Sequence, residues 1–314
     1  HVFIFTIIDY IILVMTNLVK LSVTLSLIFS INHVYADREA FESTYVPLAP
    51  EKIVIQNASI YDGDGGEFFE TDVLVEDGKI IAIGKDLPFS NEFKVIDATG
   101  KWVTPGIIDI HSHMGVYPAP GVRTSSDGNE ATSPVTADVW AEHSIWVQDP
   151  QYALALTGGV TAFHILPGSA NLIGGRGVTV KNLQRVTINS MKFPDAPHSL
   201  KMACGENPKR VYGNRGQAPS TRMGNAAGYR KSWIQAEGYL RRLNEYEEKS
   251  DEAKELEYAP TRDLEMETLA GVLKGEILVH NHCYRADEMA TMIDIAKEFN
   301  YKITAFHHGV EAYK

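Results

Sequence analysis

The residues with chemistry to offer are histidines, eleven in all, and six of them fall in three close pairs. His111-Ser-His113 and His280-Asn-His282 share one spacing, and His307-His308 are adjacent. Side chains alternate along a strand, so a His-x-His pair puts two imidazoles on one face, whereas adjacent histidines point to opposite faces. Two imidazoles held side by side at the end of a buried strand form half of a metal site, because neutral ring nitrogens suit zinc and its neighbours. An arbitrary His-x-His is more often a pair of hydrogen-bonded histidines, so the flanking residues decide. Lys201, in the apolar run Ser199-Leu-Lys-Met-Ala-Cys204, is the other residue out of place, since a buried lysine needs a partner. Glu206, a few residues on, is an acid in a loop.

Short apolar, β-branched runs position these groups. Pro105-Gly106 leads into Ile107-Ile-Asp-Ile110, which reads as a buried strand ending at His111 and His113. Gly158-Gly-Val-Thr-Ala-Phe-His-Ile-Leu-Pro167 reads as a second strand, preceded by a helix from about 137 to 157. Residues 177–181 and 199–204 are candidate third and fourth strands. Residues 276–280 and 302–308 read as the fifth and sixth, each ending on a histidine pair, with helices predicted over 262–273 and 286–299. The charged stretch 228–258 has helical spacing, and 209–229 reads as a loop. The glycine-rich 167–175 lacks the ending of a phosphate-binding P-loop, so close backbone approach to a substrate or metal accounts better for its glycines.

Upstream, the pattern changes to short β-rich runs at 53–61, 73–75 and 79–83, separated by Asp62-Gly-Asp-Gly-Gly66 and by the hairpin pair Asp77-Gly78. They predict a small β-sandwich over 51–103, ahead of a larger α/β domain over 104–314. The polar stretch Met114 to Pro134 is a long loop, and such loops carry function or move. Asp127, Asn129 and Glu130 are its candidate substrate contacts, or equally a solvated face of the loop.

The stretch Val103-Thr-Pro-Gly-Ile-Ile-Asp-Ile-His-Ser-His113, with Asp97-Ala-Thr-Gly-Lys-Trp102 before it, resembles the amidohydrolase superfamily of metal-dependent hydrolases. The resemblance covers roughly 51–314. It implies an α/β fold, a (β/α)8 barrel whose first strand closes on the His-x-His, here cut short after about six strands. It implies a metal set of His111, His113, His280 and His308, the last two being the first His after the fifth strand's apolar run and the His directly before Gly. A carboxylated lysine or a glutamate bridges the metals in binuclear members, which puts Lys201 or Glu206 in that role. His282 and His307 then become a candidate catalytic residue and a candidate substrate contact, with Arg285 also on the substrate side. The family's general base, an Asp ending the eighth strand, falls outside these residues. The implied cofactor is one or two divalent ions, zinc foremost, and the implied reaction is hydrolysis of a carbon–nitrogen bond in an amide, cyclic amide or dipeptide. The competing reading is a barrel without chemistry that serves as an interaction or structural protein.

Composition narrows the partners. The chain has 314 residues, 44% hydrophobic and 22% charged, enough for one large domain and a small companion. A net charge of -11 argues against nucleic acid and offers no basic patch for a membrane surface, leaving a small-molecule substrate and an open question of homo-oligomers. Cys204 and Cys283 are the only cysteines, which allows one bridge without calling for it. Met15, Lys20 and the apolar run Leu21 to Ile31, followed by Val34-Tyr-Ala36, resemble a signal peptide cleaved before Asp37. On that reading 1–36 is leader plus upstream sequence, 37–50 is a linker and the mature protein is exported. The alternative is a membrane anchor over 2–31.

Overall fold

The computed structural model describes residues 41–49 and 51–314. The leader or anchor at the N-terminus therefore lies outside the described residues. No helix among the described residues is long and apolar enough to cross a membrane.

The first β-rich segment forms β1 (Ile53–Tyr61), β2 (Glu67–Glu76), β3 (Lys79–Gly84), β4 (Lys94–Asp97) and β5 (Trp102–Val103). They make one five-stranded sheet, ordered β3-β2-β1-β4 with β5 beside β4 on β1. The expected sandwich is not seen among the described residues. One sheet buries a thin apolar set, Val54, Ala58, Ile60, Val73, Leu74 and Ala98, and the described strands form no second sheet over it. The Asp77-Gly78 hairpin is as expected, with both residues at positive φ.

The larger sheet runs β11-β10-β9-β8-β7-β6. Its strands are β6 (Ile107–Ser112), β7 (Val160–Ile165), β8 (Ile173–Lys181), β9 (Ser199–Ala203), β10 (Leu278–Cys283) and β11 (Ile303–His308). β6 and β7 are parallel, as are β9, β10 and β11. The third strand departs from an all-parallel barrel, because β8 runs antiparallel to both neighbours. It follows β7 through a short loop instead of a helical crossover, which only an antiparallel strand can do. The glycines predicted to approach a ligand lie largely inside β8. Gly175 has φ +109, and a Cβ there would stand 2.3 Å from the Val139 carbonyl oxygen. Arg176 N donates to that carbonyl at 2.8 Å, so the close neighbour is the chain's own backbone.

β6 also differs from the expected buried strand. It pairs with β7 alone, and Ile107, Ile108 and Ile110 are each more than half exposed. The sheet nonetheless curls enough to bring its two edge strands together, since His111 on β6 and His307 on β11 approach to 2.7 Å between ring nitrogens.

The helices are α1 (Gln151–Thr157), α2 (Glu206–Gly213), α3 (Arg222–Glu247), α4 (Asp251–Glu255), α5 (Leu264–Lys274) and α6 (Ala286–Glu298). The helix predicted over 137–157 shrinks to α1 and a short 3-10 turn at Ala141–His143, and Val135 and Trp140 instead form isolated bridges to β8. Part of the predicted 209–229 loop is helical, and α3 starts at Arg222, capped by Thr221 accepting from Gly224 N. Asp263 caps α5 in the same way, and Gly275 at φ +79 ends it. Trp233 and Tyr229 of α3 join Leu200, Met202, Val279 and Leu269 in the main core, and each such buried side chain contributes about 1.5–3 kcal/mol. Cys204 and Cys283 form a disulfide that ties the residue after β9 to the end of β10. Ser43 and Thr44, in the expected linker, hydrogen-bond to Lys192 and Asn189.

Gly175→Ala tests the account of β8. A left-handed φ and a backbone clash act together there, so the substitution is expected to lower stability by about 2 kcal/mol or more in urea denaturation. An unchanged midpoint would mean that the Val139 backbone yields.

Candidate active site

Seven of the histidines, 111, 113, 164, 280, 282, 307 and 308, gather at the C-terminal ends of β6, β7, β10 and β11. Their strands explain the grouping. Lys201 stands opposite His280 and His307 opposite His282, so all four side chains share the inner face of the curled sheet. The rings form a chain. His113 Nε2 lies 3.2 Å from His111 Nε2, His111 Nδ1 lies 2.7 Å from His307 Nδ1, and His307 Nε2 lies 2.8 Å from His280 Nδ1.

One carbonyl sets the protons of that chain. The Leu166 oxygen lies 2.8 Å from His113 Nδ1 and can only accept, so His113 carries its proton there and presents a lone pair at Nε2. This is the outer-shell bond that orients metal-binding histidines. Two ligands of a tetrahedral ion at about 2.0–2.1 Å lie about 3.3–3.4 Å apart, close to the Nε2–Nε2 separation of His111 and His113. Without an ion, the remaining rings can donate head to tail as neutral imidazoles. The pairwise facing explains why, among the described residues, no three His, Cys, Asp or Glu side chains surround a common point.

The imidazoles of the group are neutral at ordinary pH. Burial pushes His111 down to about 2, His164, His282 and His307 to about 3, and His280 to about 4, with Lys201 and neighbouring rings adding to the effect. Lys201 is fully buried, donates to the Pro167 carbonyl at 2.9 Å, and is lowered by desolvation alone to about 7. A buried amine without a carboxylate partner is costly to charge, and its nitrogen is correspondingly available as a base, a ligand or a nucleophile.

The other predicted residues are sorted by the structure. His307, expected on the substrate side, is 5% exposed and stands within the imidazole chain. His308, expected as the ligand, is exposed at φ +66 and touches His111, His282 and Tyr284 from the rim. The strand's alternation places His307 inward, and only the left-handed backbone at its end turns the second ring back. His282 is buried, with Nε2 3.2 Å from Asn207 Nδ2. Glu206 opens α2, exposed and outside the histidine group. Arg285 caps α6 and pairs with Asp287 at 2.7 Å on the surface, so the structure does not place it on the substrate side.

Asn129 is a joint of the wall beside the rings. Its amide donates to Gly168 O and Asn171 Oδ1, and Tyr117 donates to its Oδ1 at 3.1 Å while packing edge-on to His113. Asp127, Asn129 and Glu130 line a cavity of about 540 Å³ with Trp140 and Pro167, and Pro167 also receives the Lys201 bond. Two residues escaped the sequence reading. Tyr117 sits in an unpatterned loop. His164, inside a strand already recognised, could have been found from its alternation alone.

No family model matches the chain. It is 37% identical over 269 residues to the amidohydrolase tasK of Hapsidospora irregularis, a match covering 80% of this chain and 27% of that protein. It is 47% identical over 74 residues to a dihydroorotase of Lactobacillus helveticus, covering 24% of this chain and 16% of the relative. An amidohydrolase structure from Thermotoga maritima MSB8 superposes with a TM-score of 0.76 at 39% identity, over 83% of this chain and 66% of that one. The chain thus spans about a quarter of the length of tasK and about a sixth of that dihydroorotase. Likeness in sequence and in fold runs over four-fifths of these residues, and the chain belongs to the amidohydrolase superfamily.

Proposed function

We propose that this chain carries the metal-binding part of a hydrolase that cleaves a carbon–nitrogen bond in a small amide, cyclic amide or dipeptide. The observation that carries the reading is the group itself, in which linked neutral imidazoles share the inner face of the sheet with a buried amine that, among the described residues, no carboxylate pairs with. Relatives named amidohydrolase and dihydroorotase support the same reaction class.

His111 and His113 would hold one divalent ion through Nε2. His280 Nδ1 and His307 Nε2, facing each other across β10 and β11, would hold a second, with Lys201 on the same inner face as a further ligand. His307 replaces His308 in this assignment because its ring is the one opposed to His280. Such an ion, zinc foremost, supplies Lewis acidity toward a carbonyl oxygen and a water of lowered pKa. The chain's own residues do the rest. The Leu166 carbonyl holds His113 in the ligand tautomer. Lys201, at about 7, is uncharged often enough to bind an ion or take up carbon dioxide as a carbamate. The wall built on Asn129 and Asn171 is rigid enough to orient a substrate in the neighbouring cavity. Export is part of the same proposal, and an amino terminus at Asp37 in secreted protein would test it.

Three variants test the ligand assignment by metal analysis and calorimetric titration. His111→Ala and His307→Ala are each expected to weaken ion binding at least about 10-fold, and His308→Ala by less than about threefold. Equal losses at His307 and His308 would return the strand-six role to both.

Lys201→Met separates ligand from scaffold. The variant is expected to lose ion uptake, yet to melt higher than the metal-free wild type at pH 7, since it removes a desolvated amine. The sign follows from linkage. The unfolded lysine titrates near 10.5 and the folded one at about 7, so the unfolded state binds more protons and wild-type stability rises between those values. The gap between variant and wild type should therefore shrink as pH climbs through that window, and a gap independent of pH would refute the uncharged-amine account.

A further inference from the structure

Beneath the ion-facing rings lies a second polar layer. His164 is 9% exposed, and both of its ring nitrogens are engaged. Nδ1 lies 2.9 Å from Thr179 Oγ1 on β8, and Nε2 lies 2.8 Å from Ser199 Oγ on β9. Its ring packs on His280, centroid to centroid 4.6 Å, at an interplanar angle of 36°. The inner face of the curled sheet therefore has a hydrogen-bonded row crossing β7, β8 and β9, where apolar side chains would ordinarily fill the space.

The row is a built feature. β7 and β9 are not neighbours, so the His164–Ser199 bond must pass over β8. It passes at Gly177, the β8 residue paired with Ser199, where a Cβ would stand only 2.5 Å from Ser199 Oγ. Thr179, two residues along the same face of β8, is paired with His164 and supplies the other hydroxyl. A glycine and a threonine on one strand thus leave the passage and provide the anchor. Hydroxyls can donate or accept, so either neutral tautomer of His164 is satisfied and its ring plane stays fixed.

We infer that His164, anchored by Thr179 and Ser199, is a positioning residue that sets the depth and plane of the His280 ring and through it the geometry of the ion held between β10 and β11. His280 has its Nδ1 directed at His307 and its ring face against His164, so these two contacts define its orientation. If His164 is lost, the ring can tilt into the space below. The inference rests on the metal reading above and adds a residue to it that touches no ion.

Cobalt(II) titration of the full chain tests it, read by visible absorption and by calorimetry beside thermal melting. His164→Ala is expected to weaken cobalt binding about 10- to 100-fold and to shift the absorption bands of the saturated protein. A purely structural residue would lower the melting temperature and leave the saturated spectrum unchanged, and that result overturns the inference. If the alanine variant does not fold, Ser199→Ala decides, because it removes one anchor and keeps the ring. A smaller shift in the same direction supports the inference, and an unchanged spectrum and affinity overturn it. Wild-type protein that binds no cobalt at all would instead bring down the metal reading itself, which separates the two failures.

Discussion

The buried amine of Lys201 is the constraint on which the rest of the site depends. A charged ammonium in this position would face several imidazoles at close range, and every ring would be harder still to protonate. Burial holds the surrounding histidines far below their ordinary range, so the rings present neutral lone pairs, and it holds the lysine down to about 7, where the free amine is readily reached. Such a set has little to offer a protein as packing. Neutral nitrogens crowded together cost desolvation, and they return it where something electron-poor joins them.

The scaffold answers that cost with bonds to groups of known direction. The Leu166 carbonyl orients His113, the Pro167 carbonyl receives Lys201, and hydroxyls from β8 and β9 hold His164. Leu166 and Pro167 lie together just beyond β7, so one turn of chain steadies a ring from β6 and an amine from β9. The loop carrying Asn129 is fastened to the next residue, Gly168, which makes the cavity wall an extension of the same turn. Displacement of this turn would be felt at both proposed ion positions and in the substrate wall.

The antiparallel β8 is what allows the turn to be so short. A parallel third strand would need a crossover of a dozen residues or more, and the chain from β7 to β8 has no room for one. Gly175 and Gly177 then do different work on one strand. The first admits the Val139 backbone from outside, and the second leaves the inner passage through which His164 reaches Ser199. Gly175, which the sequence reads as part of a ligand-approaching loop, lies inside a strand with another backbone close against it.

Much of the site was legible in the sequence because alternation along a strand is a local rule. It put His111 with His113 and His280 with His282, marked Lys201 as a buried base, and located all six strands of the larger sheet to within a few residues. The same rule points His307 inward, since the inward parity of His280 passes across the ladder to His307. Direction and closure were different matters. Whether residues 173–181 run up or down, whether the β-rich segment makes one sheet or two, and whether β6 lies inside or at an edge are decided by neighbours distant in the chain. The same holds for the bond between His111 and His307, which joins the two edge strands of the sheet. The residue types were set by the sequence alone. The order in which their rings meet came only from the curl of the sheet, because hydrogen bonds between strands carry no local signature until the strands are side by side.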